Sequence, residues 1–223
     1  MPNVPAPDHV ILLHGLCRSS RSMAPMEKAL IRAGFSTDNV SYPSRSHAIE
    51  RLSEDAIGQA LERGTGHADG RIHFVTHSLG GILVRSYLDR HSLPRLGQVV
   101  MLAPPNQGSE VVDRIGAWAL FGWLNGPAGR ELGTAASSTP NRLGRANFPV
   151  GVIAGNRSWN LINSLLIPGP NDGKVSVERT RLAGMADHLV MAATHTFLMR
   201  HPTVIRQTIA FLRRGRFDRS EPV

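Results

Sequence analysis

The sequence predicts an α/β fold: a predominantly parallel sheet with helices on both faces. Three observations point to it. Short apolar runs of β type alternate with segments whose apolar residues recur at helical spacing, an order that favours parallel strands joined by crossover helices. An amphipathic helical stretch closes the chain. Between these lies RIHFVTHSLGGILVRSYL, residues 71–88, where a serine stands at the joint of an apolar run and a helix start with glycines crowded behind it.

The elements follow in order. His9 to Leu13 reads as a strand ending in His14-Gly15. Ser22 to Ala33 reads as a helix, with Met23, Met26, Leu30 and Ala33 on one stripe and Gly34 as its stop. Asn39 to Tyr42 is a short strand ended by Pro43. Ala48 to Arg63 is helical, with Ile49, Leu52, Ala56 and Ala60 inward. Ile72 to Val75 is a strand, Gly81 to His91 a helix, and Gln98 to Leu102 a buried strand closed by Pro104-Pro105. Val150 to Ala154 and His188 to Met191 are strands, with a β-type run at Val175 to Val177 between them. His201 to Arg213 is an amphipathic helix built on Val204, Ile205, Thr208, Phe211 and Leu212.

Residues 106–147 break this rhythm. They carry Trp118, Phe121, Trp123 and Leu124, then many Gly, Ala, Ser and Pro residues. They read as a partly helical insertion over the strand ends, within one domain spanning 1–223. Two roles stay open for it: a lid or substrate-pocket wall made by Trp118, Phe121 and Trp123, or a connecting helix whose aromatics fill a side core.

Composition narrows the class. With 223 residues and 41% apolar content, the chain can bury an ordinary globular core. No apolar run approaches the ~20 residues of a membrane helix. The N-terminus lacks the basic-then-apolar pattern of a secretory signal, which predicts a cytoplasmic protein or one whose signal has been removed. The lone Cys17 excludes an internal disulfide. The net charge is +8, and Lys occurs only at 28 and 174, so the basic residues are nearly all Arg. They are scattered except for Arg213, Arg214, Arg216 and Arg219, and no nucleic-acid-binding motif accompanies them. Nucleic acid is therefore not an expected partner; peripheral contact with an anionic membrane surface fits the charge.

The chemistry centres on Ser78. In a sharp strand-to-helix turn its neighbours must be small, and its hydroxyl is forced outward at the strand ends, where ligands of parallel sheets bind. The helix directs its unpaired N–H groups at the same spot. Leu79 N–H is one candidate donor to an oxyanion, and Leu16 N–H, after His14-Gly15, is the second. The usual signature is Gly-x-Ser-x-Gly; here it reads Thr76-His77-Ser78-Leu79-Gly80. A serine nucleophile needs a base and an orienting acid, late in the chain and in the order acid then His. Asp172, in the turn Asn171-Asp172-Gly173, is preferred to Asp187, which lies too near its own strand. His195, directly after the last strand, is preferred to His188 at the opposite edge of the sheet. It is preferred also to His201 at a helix start, and to His77, which would point away from the serine across the turn.

With these residues in place, the chain resembles the α/β-hydrolase superfamily, and within it the small bacterial lipase/esterase group. HVILLHGLCRSSRSM, RIHFVTHSLGG, NDGKVSV and THTFLM carry the resemblance in order and spacing. The 118–147 stretch matches least. Thr76 departs from the first elbow glycine, which is Ala in some small lipases. The resemblance implies an ester or lipid-ester hydrolase working through an acyl-enzyme, with no metal or organic cofactor. His195 would accept the Ser78 proton and Asp172 would hold the imidazole, so activity should fall on the acid side. Acyl transfer, thioester hydrolysis by the same triad, and a non-catalytic binding protein on this fold stay open beside it.

Overall fold

A computed structural model describes residues 7–63, 70–115, 119–158 and 167–220, with only the backbone of 114–115 and 119–124. Six strands form one sheet: β1 (His9–Leu13), β2 (Ser36–Val40), β3 (Ile72–His77), β4 (Leu96–Leu102), β5 (Val150–Gly155) and β6 (Asp187–Met191). Their spatial order is β2-β1-β3-β4-β5-β6 and every pairing is parallel. All strands therefore end on one side, and the loops that follow them share that side.

The helices are α1 (Ala24–Arg32), α2 (Ile49–Ser53), α3 (Gln59–Arg63), α4 (Leu79–Arg90), α5 (Glu110–Ile115), α6 (Ala119–Arg130), α7 (Thr139–Arg142) and α8 (Pro202–Arg214). Strand side chains alternate between two cores. Ile11, Leu13, Phe74, Val99 and Met101 pack on one face with Ile49, Leu52, Ile57, Ile82 and Leu83 of the α2–α4 region. Val10, Leu12, Val75, Val100 and Ile153 pack on the other with Met26 and Leu30 of α1 and Phe211 of α8. Helices cover both faces, as strands without alternating polarity require. No helix among the described residues is long and apolar enough to cross a membrane.

Several elements depart from expectation: α4 opens at Leu79 rather than Gly81, and β4 at Leu96 rather than Gln98. β2 runs Ser36–Val40 rather than 39–42. Tyr42 has left the ladder: its N–H donates to His14 Nε2 at 3.3 Å and its hydroxyl to the His14 carbonyl. The helix over 48–63 is continuous in direction but carries a π turn at Glu54–Gly58 between α2 and α3. Val175–Val177 is not a strand; it follows a turn and leads into a short 3-10 segment, Glu178–Thr180. Asp172 accepts N–H bonds from Lys174 and Val175, so these groups turn inward instead of joining a ladder.

Between β4 and β5 the chain forms α5, α6 and α7. Gly126, at φ 67°, breaks α6 ahead of Pro127. A buried arginine, Arg85 of α4, anchors this region: it donates to the Asn106 carbonyl at 3.0 Å, the Pro140 carbonyl at 2.9 Å and the Gly144 carbonyl at 2.8 Å. Trp118 lies outside the described residues, as do the side chains of Phe121, Trp123 and Leu124.

Candidate active site

The turn from β3 to α4 holds Ser78 at φ 53° and ψ −118°, outside the regions an L-residue ordinarily adopts. Two bonds hold it there. Ser78 N–H donates to the Leu102 carbonyl at the end of β4, 2.9 Å, and its own carbonyl accepts from Gly81 N–H at 3.0 Å. Glycine is required behind it. A Cβ on Gly80 would stand 2.7 Å from the Leu13 carbonyl oxygen, so α4 passes against the end of β1 at backbone distance. Thr76 occupies the usual glycine position, fully buried. Gly81 faces it across the turn, where a Cβ would lie 3.1 Å from Pro104 Cβ and 3.4 Å from Thr76 Oγ1.

The loop after β1 is pressed onto this turn. A Cβ on Gly15 would lie 3.2 Å from Ser78 Cβ and 2.8 Å from His77 Nδ1. His14 fixes the loop from below. Its ring stacks on Tyr42 at 4.1 Å between centroids and 8° between planes. Its Nδ1–H donates to the Gly15 carbonyl at 2.8 Å while Nε2 accepts from Tyr42. That pattern is the neutral imidazole, and burial lowers the His14 pKa accordingly. Cys17 follows at φ 57°, with its N–H on Ser44 Oγ at 3.1 Å. Tyr42 and Ser44 were invisible as site residues in the sequence; only the short span from β2 back to β1 reveals them.

Asp172 and His195 come from the loops after β5 and β6. His195 Nδ1–H donates to Asp172 Oδ2 at 2.8 Å, with both side chains almost wholly buried. Asp172 Oδ1 accepts the N–H groups of Lys174 and Val175 at 3.0 and 2.9 Å, so the carboxylate is oriented at both oxygens. The two loops are joined along the backbone as well, His195 N–H to the Asp172 carbonyl at 3.1 Å. With Nδ1 committed to the carboxylate, Nε2 is the imidazole nitrogen available for proton transfer.

His77 also touches this array. Its Nε2–H donates to the His195 carbonyl at 2.9 Å, and the two rings lie 4.8 Å apart. Burial first, then the neighbouring His195 and Arg18 charges, hold the His77 pKa well below 6.5. The other competitors lie elsewhere. Asp187 accepts from Phe217 N–H and pairs with Arg219, tying the C-terminal segment to the start of β6. His188 meets Thr180 Oγ1 at 3.0 Å, and His201 directly precedes α8 without a side-chain capping bond.

Ser78, His195, His77 and Leu16 line one cavity of about 180 Å³. Its apolar wall is Leu16, Pro105, Val111, Val112, Leu132 and Val175; its polar lining includes Ser109, Asn125, Arg18 and Lys174. Leu79 opens α4, so its N–H has no partner inside the helix. Among the described residues, no three His, Cys, Asp or Glu side chains gather in a way that would hold a metal ion.

No protein-family model matches the sequence, and no curated protein matches it. Solved structures do resemble it. The chain is similar to the mature lipase BlEst2 of Bacillus licheniformis, with a TM-score of 0.71 and 20% identity over 96% of this chain and 94% of that one. It is similar to the phospholipase PlaB of Legionella pneumophila, with a TM-score of 0.72 and 16% identity over 95% of this chain and 60% of that one. A metagenomic carboxyl esterase aligns at a TM-score of 0.64 and 18% identity, over 87% of this chain and 66% of its own. The fold is the α/β-hydrolase fold that these lipases and esterases share.

Proposed function

We propose that the chain is a serine hydrolase of carboxylic esters, with Ser78 as nucleophile, His195 as base and Asp172 as its orienting acid. The observation that carries this reading is the 2.8 Å Asp172–His195 bond beside the strained Ser78, with His195 and Ser78 on one cavity. The resemblance of the fold to lipases and esterases supports it at the level of reaction class.

The chemistry follows from the placement. His195 Nε2 takes the Ser78 proton as Oγ attacks the ester carbonyl, and the carboxylate of Asp172 stabilises the imidazolium that forms. The N–H groups of Leu16 and Leu79 are the donors for the tetrahedral oxyanion, each worth roughly 2.7–4 kcal/mol in the transition state. The imidazolium then protonates the leaving alcohol. Water, activated by the same nitrogen, releases the acid from Ser78. The cavity, about 180 Å³, is smaller than the ~300–1,000 Å³ of pockets that enclose drug-sized ligands, which favours short acyl groups.

A series of nitrophenyl esters with acyl chains of about two to sixteen carbons tests the reading. Wild type should turn over the short esters fastest. Ser78→Ala should lower kcat by about 10⁴-fold or more and should abolish labelling by a fluorophosphonate probe. Retained labelling of that variant would remove Ser78 from the role.

A further inference from the structure

Two cations stand on the wall of the Ser78 cavity, Arg18 and Lys174. They come from distant places in the chain: Arg18 follows the loop pressed onto the serine, and Lys174 follows Asp172 by two residues. The wall around them is otherwise apolar or neutral apart from the two histidines. No side-chain hydrogen bond or ion pair engages either cationic head among the described residues. The nearby carboxylates are occupied. Asp172 is spent on His195 and two backbone N–H groups. Glu110 pairs with Arg179 at 2.7 Å, and Asp113 accepts from Thr134.

Two like charges beside one small cavity repel unless a third charge joins them. Both line the same cavity, and burial first, then the Arg18 charge, lowers the Lys174 pKa. Lys174 is exposed as a residue and Arg18 is half-buried. Elsewhere among the described residues Arg63 pairs with Asp38 and Arg90 with Glu54. A pair of unpaired cations on a partly apolar wall is a site for an anion delivered with the substrate.

We propose that the ester accepted here carries an anionic group, carboxylate or phosphate, which Arg18 and Lys174 receive while Ser78 attacks the carbonyl. This rests on the hydrolase reading above and adds a substrate class to it. Guanidinium and ammonium groups meet both anions, Arg18 through its planar fork and Lys174 as a point charge. The apolar wall of Val111, Val112, Leu132 and Val175 then takes the short uncharged part of the ester.

The test compares matched neutral and anionic esters. One arm sets nitrophenyl hexanoate against the nitrophenyl monoester of adipate, placing a carboxylate on the acyl side. The other sets a butyryl ester of glycerol against that of glycerol phosphate, placing a phosphate on the alcohol side. Wild type should favour the anionic member of at least one pair by about tenfold or more in kcat/KM, equivalent to ~1.4 kcal/mol. The arm with the larger preference identifies the anion. The Arg18→Gln/Lys174→Gln double variant should bring that ratio to near one, and Arg18→Glu should invert it. Probe labelling of Ser78 in each variant verifies that the site is assembled. A wild-type ratio near one in both arms, with the neutral esters turned over, would overturn the anion site and leave the hydrolase reading standing. A preference that survives in the labelled double variant would overturn it as well. No turnover of any ester, with no labelling of Ser78, would instead defeat the hydrolase reading and this inference with it.

Discussion

At the residue scale the arrangement turns on single atoms. Asp172 orients His195 through Oδ2 while Oδ1 is held by two backbone N–H groups. An amide in its place would keep the shape but present a donor where Nδ1–H must donate, favouring the tautomer with its proton on the wrong nitrogen. Asp172→Asn is therefore expected to lower kcat by roughly 10⁴-fold with little change in KM, read by steady-state kinetics on a short ester. Equal kcat would remove the acid role. Thr76 shows the same economy of space. It fills the usual glycine position fully buried, at ordinary contact distance from where a Cβ on Gly81 would stand. The pair is readable in the sequence only as an unusual elbow with two glycines behind it. His77 adjoins the serine, and its bond to the His195 carbonyl joins residues 118 positions apart; no local pattern announces such a contact.

At the scale of elements, the elbow works because α4 begins against the end of β1. Gly80→Ala would drive a methyl to 2.7 Å from the Leu13 carbonyl oxygen, where backbone cannot yield cheaply. The expected cost is about 1–3 kcal/mol, visible as a lower urea midpoint, together with a larger loss of kcat as the Ser78 turn shifts. A variant of wild-type stability and rate would show that the close approach is not required. Strand and helix positions were largely legible, because apolar runs and helical stripes are local properties of the chain. β2 was misplaced by a few residues because Tyr42 spends its N–H on His14, a partner far away in sequence. The Val175–Val177 run was misread for a related reason. Its β-branched residues suit a strand, but the neighbouring N–H groups are claimed by Asp172.

At the scale of the whole molecule, burial sets a pH dependence. His14, His73, His77 and His188 all have pKa values lowered from 6.5, with desolvation the leading cause in each. The sign follows from proton counting. Below 6.5 the unfolded chain binds protons that these folded imidazoles refuse, so stability is fully present above that value and is lost as pH falls toward the lowered folded values. Urea midpoints should be level from about pH 8 to 7 and should decline by about pH 5. A midpoint that rises on acidification would contradict the neutral, buried assignment. His73 illustrates the cause: it is buried between β3 and β4, and that burial outweighs its bonds to Gln98 N–H at 2.8 Å and to Asp8 at 3.2 Å, which act to raise the pKa.

The alternation of strands and helices, the parallel sheet and the serine at a strand-to-helix joint are all legible in the order of residues, since each depends on residue types at short, regular spacing. The sequence also marked Asp172 and His195 by their order and by the strands around them. Only the tertiary structure decided that these two share a 2.8 Å bond, that Tyr42 supports the loop beside Ser78, that Arg85 anchors the chain between β4 and β5, and that Arg18 and Lys174 face one cavity. The physical reason is that local periodicity records which way a side chain points, whereas a site is made where loops from separate strands converge. That convergence is set by the order and register of the whole sheet.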